Sequence, residues 1–332
     1  MGPTDPSDYI RERVRAQRPR YAWRPGLPID RFRRALDTAV GGTRDRRPPK
    51  LETTVESSEN ADGFRRERIA FTTRTGMRAC GWLLVPDRPT GAAVVALPGH
   101  GIGADAVAGK AIEPYHAEFG VQCVRQGWVV CVLEQVSFGR RRDAKAMASG
   151  TGNSSCVRDS MAALMLGETI TGWRVRDARR AIDLLSERSD VDPSRIGTIG
   201  ISGGGLTSLF TAALDERVAA CGVSGYFNTW AGSVLAVDHC VDNFVPGLLD
   251  LCEMPDLAAL VAPRPLFVES GDRDPIFPLA TFRTALAQAT RIYDAGGRPA
   301  HLGHEVFAGD HFFHGKQMLP FLSRALSPGG AA

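Results

Sequence analysis

The stretch at residues 200–204 constrains the fold of this 332-residue chain more than any other feature. Its sequence is Gly-Ile-Ser-Gly-Gly, with Ser202 at the centre. The apolar run 195–199 before it is typical of a buried strand, and the small-residue run 205–214 after it is compatible with a helix. A strand, a G-x-S-x-G turn and a helix together predict a nucleophile elbow, which holds one serine hydroxyl above the edge of a sheet. The glycines are needed because so tight a turn leaves no room for β-carbons.

The other segments predict an α/β fold with a mostly parallel central sheet flanked by helices. Apolar runs bounded by turn residues are expected to be strands, and helix-compatible stretches separate the later ones. The first strands lack helical connections, so we expect an antiparallel meander at one edge. The predicted strands are 51–56, 68–73, 78–85, 92–97, 127–133, 195–199, 218–223, 265–270 and 304–307, and the main predicted helices are 171–188, 205–214, 279–293 and 314–326.

Charge is distributed unevenly along the chain. Residues 1–50 carry 13 Lys and Arg against 6 Asp and Glu, a net charge of +7, whereas the whole chain carries +3. This segment lacks the interleaved aromatic residues of a single-strand nucleic-acid binder, so we expect a basic helical arm that lies on the main domain. The α/β domain is expected to span 51–326, with 138–170 as a cap-like insertion near the active site and 327–332 as a flexible tail.

The composition argues against several classes of protein. With 43% hydrophobic and 23% charged residues, the chain resembles an ordinary globular protein, and no run approaches the length of a transmembrane helix. Residues 1–20 are polar and rich in arginine, without the apolar stretch of a secretory signal, so we expect a cytoplasmic protein. The seven cysteines are scattered, without C-x-x-C pairs or metal-finger spacing. We therefore expect reduced, mostly buried thiols, no metal and no cofactor.

An activated serine needs a histidine that accepts its proton and an acid that orients this histidine. The acid is expected in the loop after the predicted strand 265–270, where Asp274 is the first choice, followed by Asp272 and then Glu269. His311 follows the last predicted strand, where a loop histidine can reach the nucleophile. The neighbouring histidines, which we expect to have structural roles, are His301, His304 and, at the start of the last helix, His314.

Two backbone N–H groups are expected to hold the oxyanion of a tetrahedral intermediate. One comes from Gly203, the residue after the nucleophile, and the other from the loop after an early strand. In this chain that loop is Pro-Gly-His-Gly at 98–101, and we assign the second N–H group to the amide of His100. The imidazole of His100 would then face the acyl pocket or pack against the loop.

Together these segments resemble the α/β-hydrolase superfamily and, within it, the group of dienelactone hydrolases and acetyl xylan esterases. The resemblance covers about residues 50–325 and is carried by the segments 97–101, 191–197, 200–205, 262–265 and 271–278. In such enzymes the serine of the elbow, the aspartate of a G-x-x-D loop and the histidine after the last strand form the triad. The resemblance therefore implies a triad of Ser202, Asp274 and His311.

The leading hypothesis is a metal-independent serine esterase that cleaves a small acyl ester, with acetyl favoured. The frequent Arg, Ala and Gly suggest a high-GC genome, so an alternative is a natural-product tailoring enzyme that eliminates acetate or transfers an acyl group. A non-catalytic binding module of the same fold is the third hypothesis. The expected partner is a small-molecule ester rather than nucleic acid or a membrane, and a homodimer is the default assembly. The Arg-Arg-Arg run at 140–142 either attracts a substrate carboxylate or lies in a solvated loop.

Overall fold

A computed structural model describes residues 5–43, 47–150 and 153–330. The described residues form a nine-stranded sheet from β1 (Thr54–Ala61), β2 (Phe64–Arg74), β3 (Met77–Pro86), β4 (Gly91–Leu97), β5 (Val129–Leu133), β6 (Val191–Ile201), β7 (Ala220–Ser224), β8 (Leu266–Gly271) and β9 (Leu302–Phe307). Their order is β1-β2-β3-β5-β4-β6-β7-β8-β9. The β1–β2, β2–β3 and β3–β5 pairs are antiparallel and the other pairs are parallel. The predicted mostly parallel sheet with an antiparallel edge is confirmed.

Helices cover both faces of this sheet. Those in the described ranges are α1 (Pro6–Arg15), α2 (Ile29–Ala39), α3 (Ala104–Val107), α4 (Phe119–Val124), α5 (Ala144–Ala148), α6 (Cys156–Met165), α7 (Ile170–Ser186), α8 (Gly203–Leu214), α9 (Leu248–Leu251), α10 (Ala258–Val261), α11 (Leu279–Ala295) and α12 (Met318–Ala325). The larger apolar cluster lies under α2, α7, α8, α10 and α11, and a second lies on the opposite face under α3, α4 and α12. Strands such as β4 and β5 are therefore buried on both sides. None of these helices is both long and apolar enough to cross a bilayer.

The N-terminal arm packs on the main domain through α2. Phe32 and Leu36 of this helix are fully buried in the larger apolar cluster, whereas α1 buries no side chain. In the turn between the two helices, the N–H group of Tyr21 donates to the carbonyl of Leu251 over 2.9 Å. The predicted linker, insertion and tail each include residues outside the described ranges, namely 44–46, 151–152 and 331–332.

The last helix begins later than the sequence predicts. Helix α12 starts at Met318 rather than at residue 314. Gly315 has a φ of +70°, a left-handed conformation that is incompatible with a helix. The buried carboxylate of Glu269 also accepts the N–H groups of His314 and Gly315, each at 3.0 Å. The expectation that His314 starts the helix is therefore wrong, and this residue lies in the loop that carries His311.

Arg264, in the loop before β8, holds the ends of α8 and α10 together. Its guanidinium donates five hydrogen bonds of 2.7–3.1 Å to the carbonyls of Ala212, Asp215, Val218, Leu260 and Val261. A lysine has three donors on one nitrogen and cannot satisfy this set. We expect Arg264→Lys to lower the free energy of unfolding by about 3 kcal/mol, measured by urea denaturation. Arg291→Lys, at an exposed position of α11, is the matched control, and equal stability of the two variants would contradict this role.

Candidate active site

The turn between β6 and α8 has the geometry of the predicted nucleophile elbow. Ser202 adopts φ 53° and ψ −121°, a conformation that costs a non-glycine residue about 1–3 kcal/mol. Its N–H group donates to the carbonyl of Ser224 at the end of the neighbouring β7, over 2.9 Å. The strained serine is thus held by the sheet, directly before the first turn of α8.

The glycines on either side of Ser202 are required by close backbone contacts. A Cβ on Gly204 would lie 1.9 Å from the carbonyl oxygen of Leu97, and a Cβ on Gly200 would lie 2.3 Å from the carbonyl oxygen of Gly204. No side chain larger than hydrogen fits either place without moving the backbone. The G-x-S-x-G pattern therefore follows from the packing of this turn against the end of β4.

Asp274 and His311 form a hydrogen-bonded pair at the same edge of the sheet. The Oδ2 atom of Asp274 lies 2.6 Å from Nδ1 of His311. The imidazole is stacked between the rings of Tyr115 and Phe277, with both centroids 5.6 Å away. Its Nε2 atom is buried and has no hydrogen-bond partner among the described residues. The fixed ring and the unused nitrogen suit a proton acceptor for Ser202, which lines the same cavity.

Asp274 is better placed than the two other acids considered from the sequence. Its second oxygen, Oδ1, accepts the N–H groups of Ile276 and Phe277, each at 2.9 Å, so the carboxylate is held in the orientation that meets the imidazole. Asp272 is exposed and accepts the N–H group of Gly309 at 2.9 Å, and Glu269 is buried under the His311 loop. Both of these acids therefore shape loops around the site.

The loop after β4 approaches the elbow from the other side. The N–H group of Gly99 donates to Nε2 of His116 over 3.1 Å, so this amide is occupied and the next one along the loop is that of His100. Gly203 is the first residue of α8, where an N–H group has no intrahelical partner. A Cβ on Gly203 would lie 3.4 Å from Nδ1 of His100, which shows how closely the two segments approach. They are the segments predicted to form the oxyanion hole.

The carboxyl edge of the sheet opens into a cavity of about 640 Å³ beside these groups. Its lining residues are His100, Glu113, Tyr115, Ser202, Val237, Asp238, His239, Cys240, Pro275, Ile276 and His311. The 138–170 segment contributes none of the lining found among the described residues. It packs behind His100 instead, where the Phe138 ring centroid is 4.4 Å away and Sγ of Cys156 is 3.6 Å from Nε2. The segment therefore supports the loop after β4, and residues 237–240 provide part of the cavity wall.

Tyr115 is a site residue that the sequence analysis missed. A Cβ on Gly99 would lie 1.9 Å from its hydroxyl, so the tyrosine packs directly over the loop after β4. Burial raises the pKa of the Tyr115 hydroxyl, and a hydrogen bond with Ser202 opposes that rise. The neutral hydroxyl therefore lies beside the serine. No motif marks it, because it belongs to an irregular segment without periodicity.

A second buried acid lies behind His100. Oδ2 of Asp242 is 3.2 Å from Nε2 of His100 and 2.7 Å from Nη1 of Arg174. Burial would lower the pKa of His100, but the Asp242 carboxylate raises it to about 9. Burial would likewise raise the pKa of Asp242, but Arg174 and His100 hold it well below its usual range. Asp242 could not be singled out from the sequence, because it lies on a long loop far from His100 in the chain.

The arginine run has structural partners, and the other histidines considered from the sequence lie outside the cavity lining. Arg140 pairs with Glu56 at 2.8 Å and Arg141 pairs with Asp177 at 2.5 Å, while Nε of Arg142 donates to the carbonyl of Gly139 at 2.6 Å. These arginines bind the protein itself and do not line the cavity described above. His301 contacts the carbonyl of Pro263, and His304 is exposed on β9. His314 lies 3.3 Å from Glu305.

Comparison with known proteins identifies the family and the fold of this chain. Residues 11–222 match the model of the Abhydrolase family. A protein of Bacillus subtilis (strain 168) named "Putative hydrolase YtaP" is 27% identical over 278 residues, which cover 80% of this chain and 88% of that protein. The fold is that of the α/β-hydrolases, and the chain belongs to the Abhydrolase family.

Solved structures agree with this fold. A "putative acetyl xylan esterase" from Bacteroides fragilis NCTC 9343 has a TM-score of 0.76 at 17% identity and covers 94% of this chain and 87% of its own. A glucuronoyl esterase from Solibacter usitatus has a TM-score of 0.67 at 17% identity and covers 94% of this chain and 97% of its own. The predicted α/β-hydrolase fold and the resemblance to acetyl xylan esterases are confirmed.

Proposed function

We propose that this α/β-hydrolase is a serine esterase that removes a small acyl group, acetyl above all, through an acyl-enzyme on Ser202. The observation that carries the proposal is the Asp274–His311 pair at 2.6 Å, with Nε2 of His311 unused and Ser202 in the same cavity. A histidine oriented by a carboxylate can accept the serine proton as the hydroxyl attacks a carbonyl. The chain order Ser, Asp, His is that of α/β-hydrolases.

The reaction begins with attack of Oγ of Ser202 on the ester carbonyl carbon, while Nε2 of His311 takes the hydroxyl proton. The carbonyl π-electrons move to its oxygen, and the N–H groups of Gly203 and His100 hold the resulting oxyanion. Collapse of this intermediate breaks the bond to the alcohol, which leaves with the proton from His311. Water then attacks the acyl-enzyme by the same path, and the products are a carboxylic acid and free Ser202.

We infer a small acyl group from the side chains beside the oxyanion donors. A Cβ on Gly203 would be in van der Waals contact with the His100 ring at 3.4 Å and with Cζ of Phe138 at 3.7 Å, so both rings lie close to the place of the acyl group. On the open side, the cavity of about 640 Å³ accommodates a much larger alcohol, and Glu113 and Asp238 offer acceptors for its hydroxyl groups. The names of the neighbouring structures, acetyl xylan esterase and glucuronoyl esterase, support ester cleavage with a carbohydrate alcohol.

The proposal is tested with p-nitrophenyl acetate, butyrate and octanoate. We expect kcat/KM to be highest for acetate and to fall with chain length, because the rings of His100 and Phe138 lie close to the proposed place of the acyl group. A fluorophosphonate should label the chain once, at Ser202, as mapped by peptide mass spectrometry. A higher kcat/KM for octanoate than for acetate would contradict the small acyl group. Labelling of a residue other than Ser202 would contradict the assignment of Ser202 as the nucleophile.

Product analysis on acetylated alcohols distinguishes this esterase from an acetate-eliminating or acyl-transferring enzyme. Hydrolysis gives the free alcohol and acetate, and the oxygen of the solvent enters the acetate. Elimination gives acetate and an alkene, and transfer places the acetyl group on a second alcohol. We expect the free alcohol as the product, with ¹⁸O from labelled water in the acetate. Formation of an alkene would instead identify an eliminating enzyme, and a transferred acetyl group would identify an acyltransferase.

A further inference from the structure

We propose that His100, Cys156, Cys240 and Asp242 form a binding site for Zn²⁺ in the wall of the cavity. The four side chains come from three separate segments. His100 lies in the loop after β4, Cys156 is the first residue of α6, and Cys240 and Asp242 lie on the long loop between β7 and α9. Each offers one ligand atom, and these four atoms all lie within 4.8 Å of one another.

The separations among three of the four ligand atoms are close to those around a tetrahedral ion. Zinc bonds of about 2.0–2.3 Å to nitrogen, oxygen and sulfur place neighbouring ligand atoms about 3.3–3.8 Å apart. Nε2 of His100 is 3.6 Å from Sγ of Cys156 and 3.2 Å from Oδ2 of Asp242, and that sulfur is 3.2 Å from the same oxygen. An ion bound to these three atoms would take Sγ of Cys240, which lies within 4.8 Å of each of them, as its fourth ligand after a side-chain shift.

The charges of the ligated state balance around a divalent cation. Ligation requires a neutral imidazole and deprotonated thiols, so Cys156, Cys240 and Asp242 then carry three negative charges in a largely buried place, and Arg174 supplies one positive charge. A divalent cation brings the sum of these charges to zero, and this stabilises the cluster because an uncompensated charge is unfavourable in a buried place. Arg174 then acts as an outer partner of the carboxylate, since its Nη1 lies 2.7 Å from Oδ2 while its Nη2 donates to the carbonyl of Val136 at 2.9 Å.

The donor types select the ion. Two thiolates and an imidazole prefer zinc and similar thiophilic ions, whereas magnesium and calcium need oxygen ligands. Four protein ligands close the coordination sphere, which is the arrangement of a structural zinc site. No metal was predicted from the sequence, because the ligands show no finger spacing and Cys156 is 84 residues from Cys240 along the chain.

The position of His100 connects this site to the cavity. Its Nε2 faces the cluster, while its Nδ1 lies beside Gly203, next to the nucleophile. A metal on Nε2 makes Nδ1 the protonated nitrogen, so the ring presents an N–H group on the cavity side. The ion also fastens the loop after β4 to α6 and to the 237–242 segment, and it therefore positions His100 without touching the ester.

The test uses the full chain, reduced and stripped of metal with a chelator, and then titrated with Zn²⁺ or Co²⁺. We expect one ion per chain, and Co²⁺ should produce a thiolate-to-metal charge-transfer band together with the visible bands of a tetrahedral site. Cys240→Ser should weaken Zn²⁺ binding by at least about 10-fold and reduce the charge-transfer band. Cys80→Ser, at a half-buried cysteine outside the cluster, is the matched control and should bind as the wild type does.

Two results would overturn the proposal. One is a reduced wild type that binds no Zn²⁺ with defined stoichiometry, and the other is equal affinity in the wild type and in Cys240→Ser. The readout is separate from ester cleavage, because Ser202→Ala should bind Zn²⁺ as the wild type does. Failure of the metal site and failure of the proposed esterase are therefore observed in different experiments.

Discussion

Ser202→Ala is expected to reduce kcat for p-nitrophenyl acetate by about 10⁵-fold while the chain stays folded. The substitution removes the oxygen that forms the acyl-enzyme, and Oγ is the only atom lost. Alanine has the same Cβ as serine, so the turn at φ 53° is neither relieved nor further strained. The catalysis that remains in this variant should come only from the oxyanion donors and from substrate binding. Single-turnover assays with purified enzyme measure this effect.

The control for this experiment is Ser194→Ala, at an exposed serine near the start of β6. Both variants should unfold within a few degrees of the wild type in a thermal melt, because neither loses a buried apolar contact. Only Ser202→Ala should lose turnover and fluorophosphonate labelling together. If Ser202→Ala kept more than a tenth of the wild-type rate, the acyl-enzyme route would be wrong.

Much of the fold was predictable because local patterns and tertiary structure agree. The apolar runs that become β4 and β5 are continuous, as expected of strands buried on both faces, and β6 is buried throughout only over residues 196–201. A G-x-S-x-G turn between such a strand and a helix has few other structural solutions. The candidate acid and base follow strands whose carboxyl ends share one edge, and the structure places Asp274 and His311 2.6 Å apart, although 37 residues separate them in the chain.

The parts that could not be predicted lie on irregular loops. Tyr115 and Asp242 have no periodic neighbours, and their partners become near only through the folding of the whole sheet. The start of α12 depends on a Glu269 carboxylate that reaches across from β8, a contact that no local pattern encodes. Arg174 looks like a surface residue of a helix in the sequence, yet it is fully buried against Asp242. Charge pairs between residues so far apart in the chain can be found only from the three-dimensional structure.

Asp274→Asn is the second substitution with a large expected effect, about a 10⁴-fold loss in kcat. The Oδ1 atom of Asp274 accepts the N–H groups of Ile276 and Phe277, and an asparagine carbonyl oxygen can keep both of these bonds. Its NH₂ group then faces Nδ1 of His311 where the carboxylate oxygen was, so Nδ1 must become the acceptor. The proton of the neutral imidazole moves to Nε2, which can no longer take a proton from Ser202. The orientation of the His311 ring is retained, but its proton lies on the nitrogen that should accept the proton of Ser202.

Asp272→Asn is the matched control, since this aspartate lies two residues away and, among the described residues, its carboxylate contacts only the loop amide of Gly309 and Arg273. Its kcat should stay within a few-fold of the wild type. The imidazole N–H resonances of His311 in nitrogen-labelled protein would report the tautomer directly, with the proton on Nδ1 in the wild type and on Nε2 in Asp274→Asn. If kcat fell instead in Glu269→Gln and not in Asp274→Asn, the acid of the triad would be Glu269. The orienting carboxylate of a triad is identified by the imidazole tautomer that it imposes and not by its position in the chain.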